Sequence, residues 1–201
     1  LYESFAAYPH GAGAAWTAGS GAVFDLTSNA LRPTSWTSAD AAGLPIIPGL
    51  VRYDEVASGE IDHAIRVTLN HTDNRFIWPA RHRAGENDPA AAPMGAWLRL
   101  RADFDISGFP ASDRVILRAM QKHGMIVADN GSSWFVSGAP DDRWSNSALH
   151  RLNELQGSDF EMVDTSSLVA DPGSGRVAGV SAPPTMTGGY TLDGYGGLHP
   201  F

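Results

Sequence analysis

Asp54, Glu55, Glu60, Asp62, His63 and Arg66 fall within one short run, RYDEVASGEIDHAIR. Carboxylates spaced this closely beside an imidazole supply the parts of general acid–base chemistry: one group that gives a proton and one that takes it. Paired carboxylates also suit glycoside hydrolysis, where their separation decides whether anomeric configuration is kept or inverted. Asp40, Asp54, Glu55 and Asp129 are the members such a pair could draw on. His63 has two readings. It is a core histidine with one satisfied hydrogen bond, or a partly desolvated group in a groove that titrates near neutrality. Glu55 likewise is either catalytic or the carboxylate that starts a short helical turn at 54–59, where the helix dipole favours it.

Two further clusters offer binding chemistry. In WPARH, Trp78, Arg81 and His82 follow a strand that Pro79 cuts short. A ring beside Arg and His can stack on a sugar face and grip its hydroxyls; it can equally be an arginine stacked on tryptophan at a surface corner. In ADNGSSW, Asp129 precedes Asn130-Gly131, which is turn chemistry first and a calcium or sugar contact second. Asn130-Gly131-Ser132 and Asn70-His71-Thr72 are also glycosylation sequons. A third reading pairs His63 and His82 with a carboxylate around a metal. No motif requires a cofactor, with calcium or another divalent ion left open, and G-x-S-x-G, H-E-x-x-H, EF-hand and Walker patterns are all missing.

The composition limits what these groups belong to. The chain has 201 residues, 43% of them hydrophobic and 18% charged, enough for one domain with a real core. A net charge of −8 argues against a binder of nucleic-acid backbone. Without cysteine there are no disulfides, zinc thiolates or thiol nucleophiles. The longest apolar run, 41–51, is too short and too rich in proline to span a membrane. No signal peptide is visible, and a start at Leu1 leads us to expect that an upstream segment has been removed. The 22 glycines, 13 prolines and scarce lysine fit an extracellular β-rich protein.

These side chains must be positioned by mostly short strands. Strands are expected at 21–26, 60–69, 75–80 and 95–104, with His63 on the apolar face of the second beside Ile61, Ile65, Val67 and Leu69. Ser112 as N-cap, a stripe of Val115, Ile116, Ala119 and Met120, and Gly124 as stop predict a helix. Leu149, Leu152 and Leu155 predict another over 146–155. MIVADNGSSWFVSG between them reads as a hairpin. The expected fold is mainly β with two or three helices, a jelly-roll or β-sandwich-like single domain over 1–170. A Gly/Ser/Pro-rich linker over 171–187 and a stub over 188–201 follow. Between Asp40 and Glu55 runs GLPIIPGL, a proline-stiffened apolar crossover that would fix the two carboxylates relative to each other.

GSGAVFDLTSNALRPTSWTSADAAGLPIIPGLVRYDEV, GEIDHAIRVTL, WPARH, PMGAWLRLRADFDISGF, GMIVADNGSSWFVSGAPDDRW and GSDFEMVDTSSL together resemble a family of secreted bacterial proteins, over most of residues 1–168. The resemblance implies an extracellular location and sequence upstream of LYE, and brings no mechanism. GGYTLDGYGGLHPF is similar to a motif of secreted actinobacterial-type repeat regions. A lone repeat cannot bury its own face, so further repeats or an upstream segment of its own precursor are expected partners.

Together these residues predict an extracellular carbohydrate-active protein, a glycoside hydrolase or lyase acting on a polysaccharide or oligosaccharide. Asp40, Glu55, His63 and His82 are its acid–base candidates. Arg66, Trp78, Arg81, Asp129 and Trp134 are its substrate contacts. The alternative is a non-catalytic carbohydrate-binding or cell-surface and matrix module, with Trp97, Arg99 and Arg101 as a binding strip. Convergence of the four acid–base candidates in one pocket separates the two.

Overall fold

A computed structural model describes residues 1–13, 15–179, 190–192 and 198–200, the last two stretches as backbone. Seven strands and three helices position the site: β1 (Tyr2–Phe5), β2 (Ser20–Val23), α1 (Tyr53–Ser58), β3 (Ile65–Leu69), β4 (Trp97–Leu100), α2 (Ala111–Lys122), β5 (Met125–Asn130), β6 (Phe135–Val136), α3 (Asn146–Leu149) and β7 (Phe160–Val163). The chain is β-rich. One five-stranded sheet of order β6-β3-β5-β4-β7 carries the core, and the other described pairings are two-stranded. Within the large sheet β3 and β5 run parallel, and every other neighbouring pair is antiparallel.

The parallel pair explains a difference from the sequence reading. Residues 125–138 do not fold back as a hairpin. After Asn130 the chain passes over β3 and adds β6 to its far edge, where Phe135 faces Thr68 and Val136 faces Val67. β3 is therefore a central strand, and its Ile65 and Val67 are fully buried. The passage needs a small residue: a side chain at Gly131 would come within 2.9 Å of Thr68 Oγ1. Thr68 Oγ1 donates to the Ser132 carbonyl at 2.7 Å, and the register slips by one residue between Val67 and Thr68.

The strand expected over 60–69 forms only from Ile65. Its neighbour β5 begins at Met125, opposite Ile65, because α2 ends just before it. Residues 60–64 have no strand to pair with, and His63 lies outside the sheet. The strand expected over 95–104 is likewise confined to Trp97–Leu100, with Leu98 and Leu100 buried. Those over 21–26 and 75–80 shift to Ser20–Val23 and Asp73–Phe76.

α2 buries the expected stripe of Val115, Ile116, Ala119 and Met120, with Leu117 added. It packs on β4 and contacts both α1 and α3. Its N-cap is Pro110 rather than Ser112, which leaves Asp113 in the first turn, where the helix dipole favours a carboxylate. Gly124, at φ +75°, ends it against Trp97, whose Nε1 lies 2.6 Å from where a Cβ would be. The helix expected over 146–155 splits into α3 and a 3-10 turn, His150–Glu154.

The first part of the expected linker packs on the domain. Gly173 and Asn29 carbonyls accept from Leu31 and Gly175 amides at 2.9 and 2.8 Å. Residues 180–187 lie outside the described residues. Of the stub, Tyr190–Leu192 and Leu198–Pro200 pair antiparallel; residues 188–189, 193–197 and 201 lie outside.

Candidate functional site

The loop in front of β3 is built inward. Ser38 Oγ donates to the Leu44 carbonyl at 2.7 Å and accepts from the Asp40 amide at 2.9 Å. The Ala42 amide donates to Ala128 of β5 at 2.8 Å. This docking buries Asp40, whose side chain is 1% exposed. Arg66, reaching up from β3, meets it as a fork, Nη2 on Oδ1 at 2.9 Å and Nε on Oδ2 at 3.2 Å. The remaining guanidinium nitrogen donates to Ser137 Oγ just after β6. Burial pushes the Asp40 carboxyl up to about 7; Arg66 opposes this, and the negative charges of Asp129 and Glu3 add to it. Glu3, on β1, fixes the same loop by accepting from the Ile46 amide at 2.7 Å.

Glu55 belongs to a separate group. It accepts from the Arg52 amide and from Arg52 Nη1, both at 3.0 Å, so that its carboxylate caps the first turn of α1. His63 Nε2 lies 3.2 Å from Glu55 Oε1, and His63 Nδ1 donates to the Ala64 carbonyl at 2.9 Å. The chain between the two acidic ends keeps them apart. Gly49 packs on the Arg66 side chain, and the Ile47 carbonyl accepts from Arg52 at 2.8 Å. Asp40 and Glu55 thus each answer an arginine of their own.

His82 faces the loop backbone, Nδ1 donating to the Ala41 carbonyl at 3.0 Å. Arg81 ties three carbonyl or hydroxyl oxygens together: Arg32 at 2.6 Å, Thr34 Oγ1 at 2.7 Å and Pro172 at 2.9 Å. Trp78 stacks on Trp97 at 6.5 Å, and its Nε1 donates to Ser174 at 2.8 Å. The WPARH cluster is thus a clasp that fastens 171–175 to the body. The strip of Trp97, Arg99 and Arg101 is also occupied: Trp97 donates to His123, Arg99 pairs with Glu161, and Arg101 with Asp103. Asp129 accepts from the Asn130 amide at 2.8 Å. Among the described residues no three His, Asp or Glu side chains group as cation ligands would.

Trp134 is placed differently. It lines a cleft of about 500 Å³ between the segment around β6 and the α3 region. Its φ is +58°, a left-handed conformation that a bulky residue adopts only where its surroundings impose it. Its ring stacks on Phe160 at 4.7 Å and an interplanar angle of 27°. Trp144 lines the same cleft, its Nε1 donating to the Ala139 carbonyl at 2.9 Å and its ring meeting Tyr53 edge-on at 4.9 Å. Arg143 covers the Tyr53 ring at 4.3 Å and is held by Asp54 at 2.8 Å. The floor is apolar, with Val51 and Ile116, and the α3 side presents Asn146, His150 and Asn153. No Asp, Glu, Lys or Arg is among the described residues lining it.

Reasoning from sequence missed Trp144, Asn146, His150 and Asn153. A signal was there: Ser145 caps α3 by accepting from the Ala148 amide, and the three polar residues follow at helical spacing beside the Leu149 and Leu152 stripe. A second cavity of about 460 Å³ lies beside Trp78, Met162 and Thr165. No protein-family model matches the chain, and neither the curated proteins nor the solved structures gave a match.

Proposed function

We propose that the protein is a carbohydrate-binding module, extracellular as its resemblance implies, which holds its sugar in the cleft walled by Trp134 and Trp144. One observation carries this reading: a cavity of ligand size joins aromatic side chains to amide and imidazole groups and is lined by no carboxylate among the described residues. Sugar rings present apolar C–H faces and a rim of hydroxyls, and those two kinds of wall match them. The catalytic reading has less support. Asp40 is enclosed and forked by Arg66, and Glu55 is taken up by Arg52. Its one favourable observation is the Glu55–His63 contact at 3.2 Å, with both side chains about a quarter exposed (25% and 23%). The jelly-roll or sandwich frame expected from the sequence is not needed for binding, since one mixed sheet with its helices positions the cleft.

The test is incubation with oligosaccharides, followed by calorimetry for binding and chromatography for products. Saturable binding with no product release is expected. Product release that Glu55→Gln abolishes while the melting temperature falls by no more than about 2–4 °C would establish the hydrolase instead.

A further inference from the structure

We infer that the cleft selects an uncharged glycan, and that Asn146, His150 and Asn153 read its hydroxyls. This rests on the carbohydrate-binding reading and names the substrate class of that site.

The charge around the cleft points this way. A uronate or sulfated sugar held against this wall, where Asn146, His150 and Asn153 are themselves exposed, would shed part of its hydration without gaining a cation, which is disfavoured relative to a neutral ring. No Lys or Arg lines the cavity among the described residues. The two arginines flanking it in sequence are taken: Arg143 by Asp54 at 2.8 Å and by Asp141, Arg151 by Glu154 at 3.0 Å. The chain as a whole carries −8, which repels a polyanion at a distance.

The polar wall has the complementary chemistry. A sugar hydroxyl both gives and takes a hydrogen bond, and a side-chain amide does the same from one position. Asn146 makes no side-chain hydrogen bond to the described residues, and its amide stays available to a ligand. Asn153 Nδ2 donates to His150 Nδ1 at 3.2 Å. With the amide in this orientation Nδ1 accepts, which leaves Nε2–H as a donor and Asn153 Oδ1 as an acceptor. Residues 146 and 150 are one helical turn apart, and 150 and 153 one 3-10 turn apart, so the three groups form a short ladder. A ladder of neutral donors and acceptors in a cleft shared with two tryptophans can pair with both roles of a hydroxyl, whereas it meets a carboxylate only with neutral N–H donors and no cation.

The experiment is calorimetric titration of the full 201-residue chain with matched hexasaccharides. The neutral set is gluco-, manno-, xylo- and galacto-configured; the anionic set is galacturonate and heparin hexamers. At least one neutral hexamer should bind, with little change between 50 and 500 mM salt, and the anionic hexamers should bind about tenfold more weakly or not at all. Asn146→Ala and Asn153→Ala should each weaken the neutral ligand about tenfold, the loss of one well-made hydrogen bond, with unchanged melting temperature. Anionic hexamers binding as tightly as neutral ones would overturn the inference and leave the carbohydrate reading standing. Neutral binding untouched by either asparagine substitution would overturn the ladder. No binding by any hexamer of either charge would end both.

Discussion

Replacing Arg66 by methionine removes the cation that forks the buried Asp40 while keeping most of the packing volume over Gly49. The expected cost depends on pH, and the structure says how. With Arg66 present, the Asp40 carboxyl is pushed up to about 7, so at pH 5 it is already neutral. There the substitution removes hydrogen bonds to Asp40 and Ser137 and should cost about 1–2 kcal/mol. Above 7 the wild-type carboxyl ionises against the guanidinium, an option the variant lacks. The variant must hold its proton instead, at about 1.4 kcal/mol for each pH unit. By pH 9 the deficit should therefore have grown by about 3 kcal/mol, in the range found when one partner of a buried ion pair is removed. Urea unfolding at pH 5, 7 and 9 measures this directly, with Tm falling by about 2–4 °C per kcal/mol for a domain of this size. An equal deficit at pH 5 and pH 9 would refute the claim that Arg66 answers an ionisable, enclosed Asp40.

The wild-type protein should show the matching trend. A folded-state value of about 7 against an ordinary 3.8 means that the folded chain keeps a proton the unfolded chain has released. This contribution is fully present below about pH 4 and is lost as pH rises through 7, at up to about 1.4 kcal/mol per unit; Asp40→Asn should flatten the slope seen in pH-dependent unfolding. Glu55→Gln should cost about 0.5–1 kcal/mol in urea unfolding, as the partly exposed ion pair to Arg52 and the negative charge at the start of α1 are lost while the amide oxygen still caps, and leave glycan affinity unchanged. Arg81→Ala should free the segment at 171–175, read as faster limited proteolysis there with the sheet core still protected.

The sequence announced the elements whose signal is local. The α2 stripe of Val115, Ile116, Ala119 and Met120 and the short helix beginning near Asp54 both form because the apolar period, the acidic first turn and the glycine that ends each lie within a few residues, although the N-cap of α2 lies two residues before the expected Ser112. What depended on distant partners was not legible. Asp129-Asn130-Gly131 looks like a hairpin turn, and only the need of β3 for a second neighbour sends the chain across it. His63 alternates correctly with Ile61 and Ile65, yet the neighbouring strand starts too late to pair with it. Arg66 and Asp40 are 26 residues apart, and no local pattern joins them. Trp134 stood out as an aromatic beside a turn, whereas Trp144, Asn146, His150 and Asn153 were hidden in a segment whose leucines drew the helical reading. GLPIIPGL runs between the two acidic flanks, and the carboxylates at its ends meet two different arginines.

The central claim is that this cleft binds a glycan. Its most direct test is calorimetric titration of wild type, Trp134→Ala and Trp144→Ala with the best neutral hexasaccharide, checked by chemical-shift mapping on the wild type. Saturable binding should shift amides of 134–153 and weaken about 30-fold or more on losing either tryptophan, the cost of truncating a central aromatic anchor. Affinity unchanged in both folded variants, or shifts confined to a different face of the protein, would contradict it.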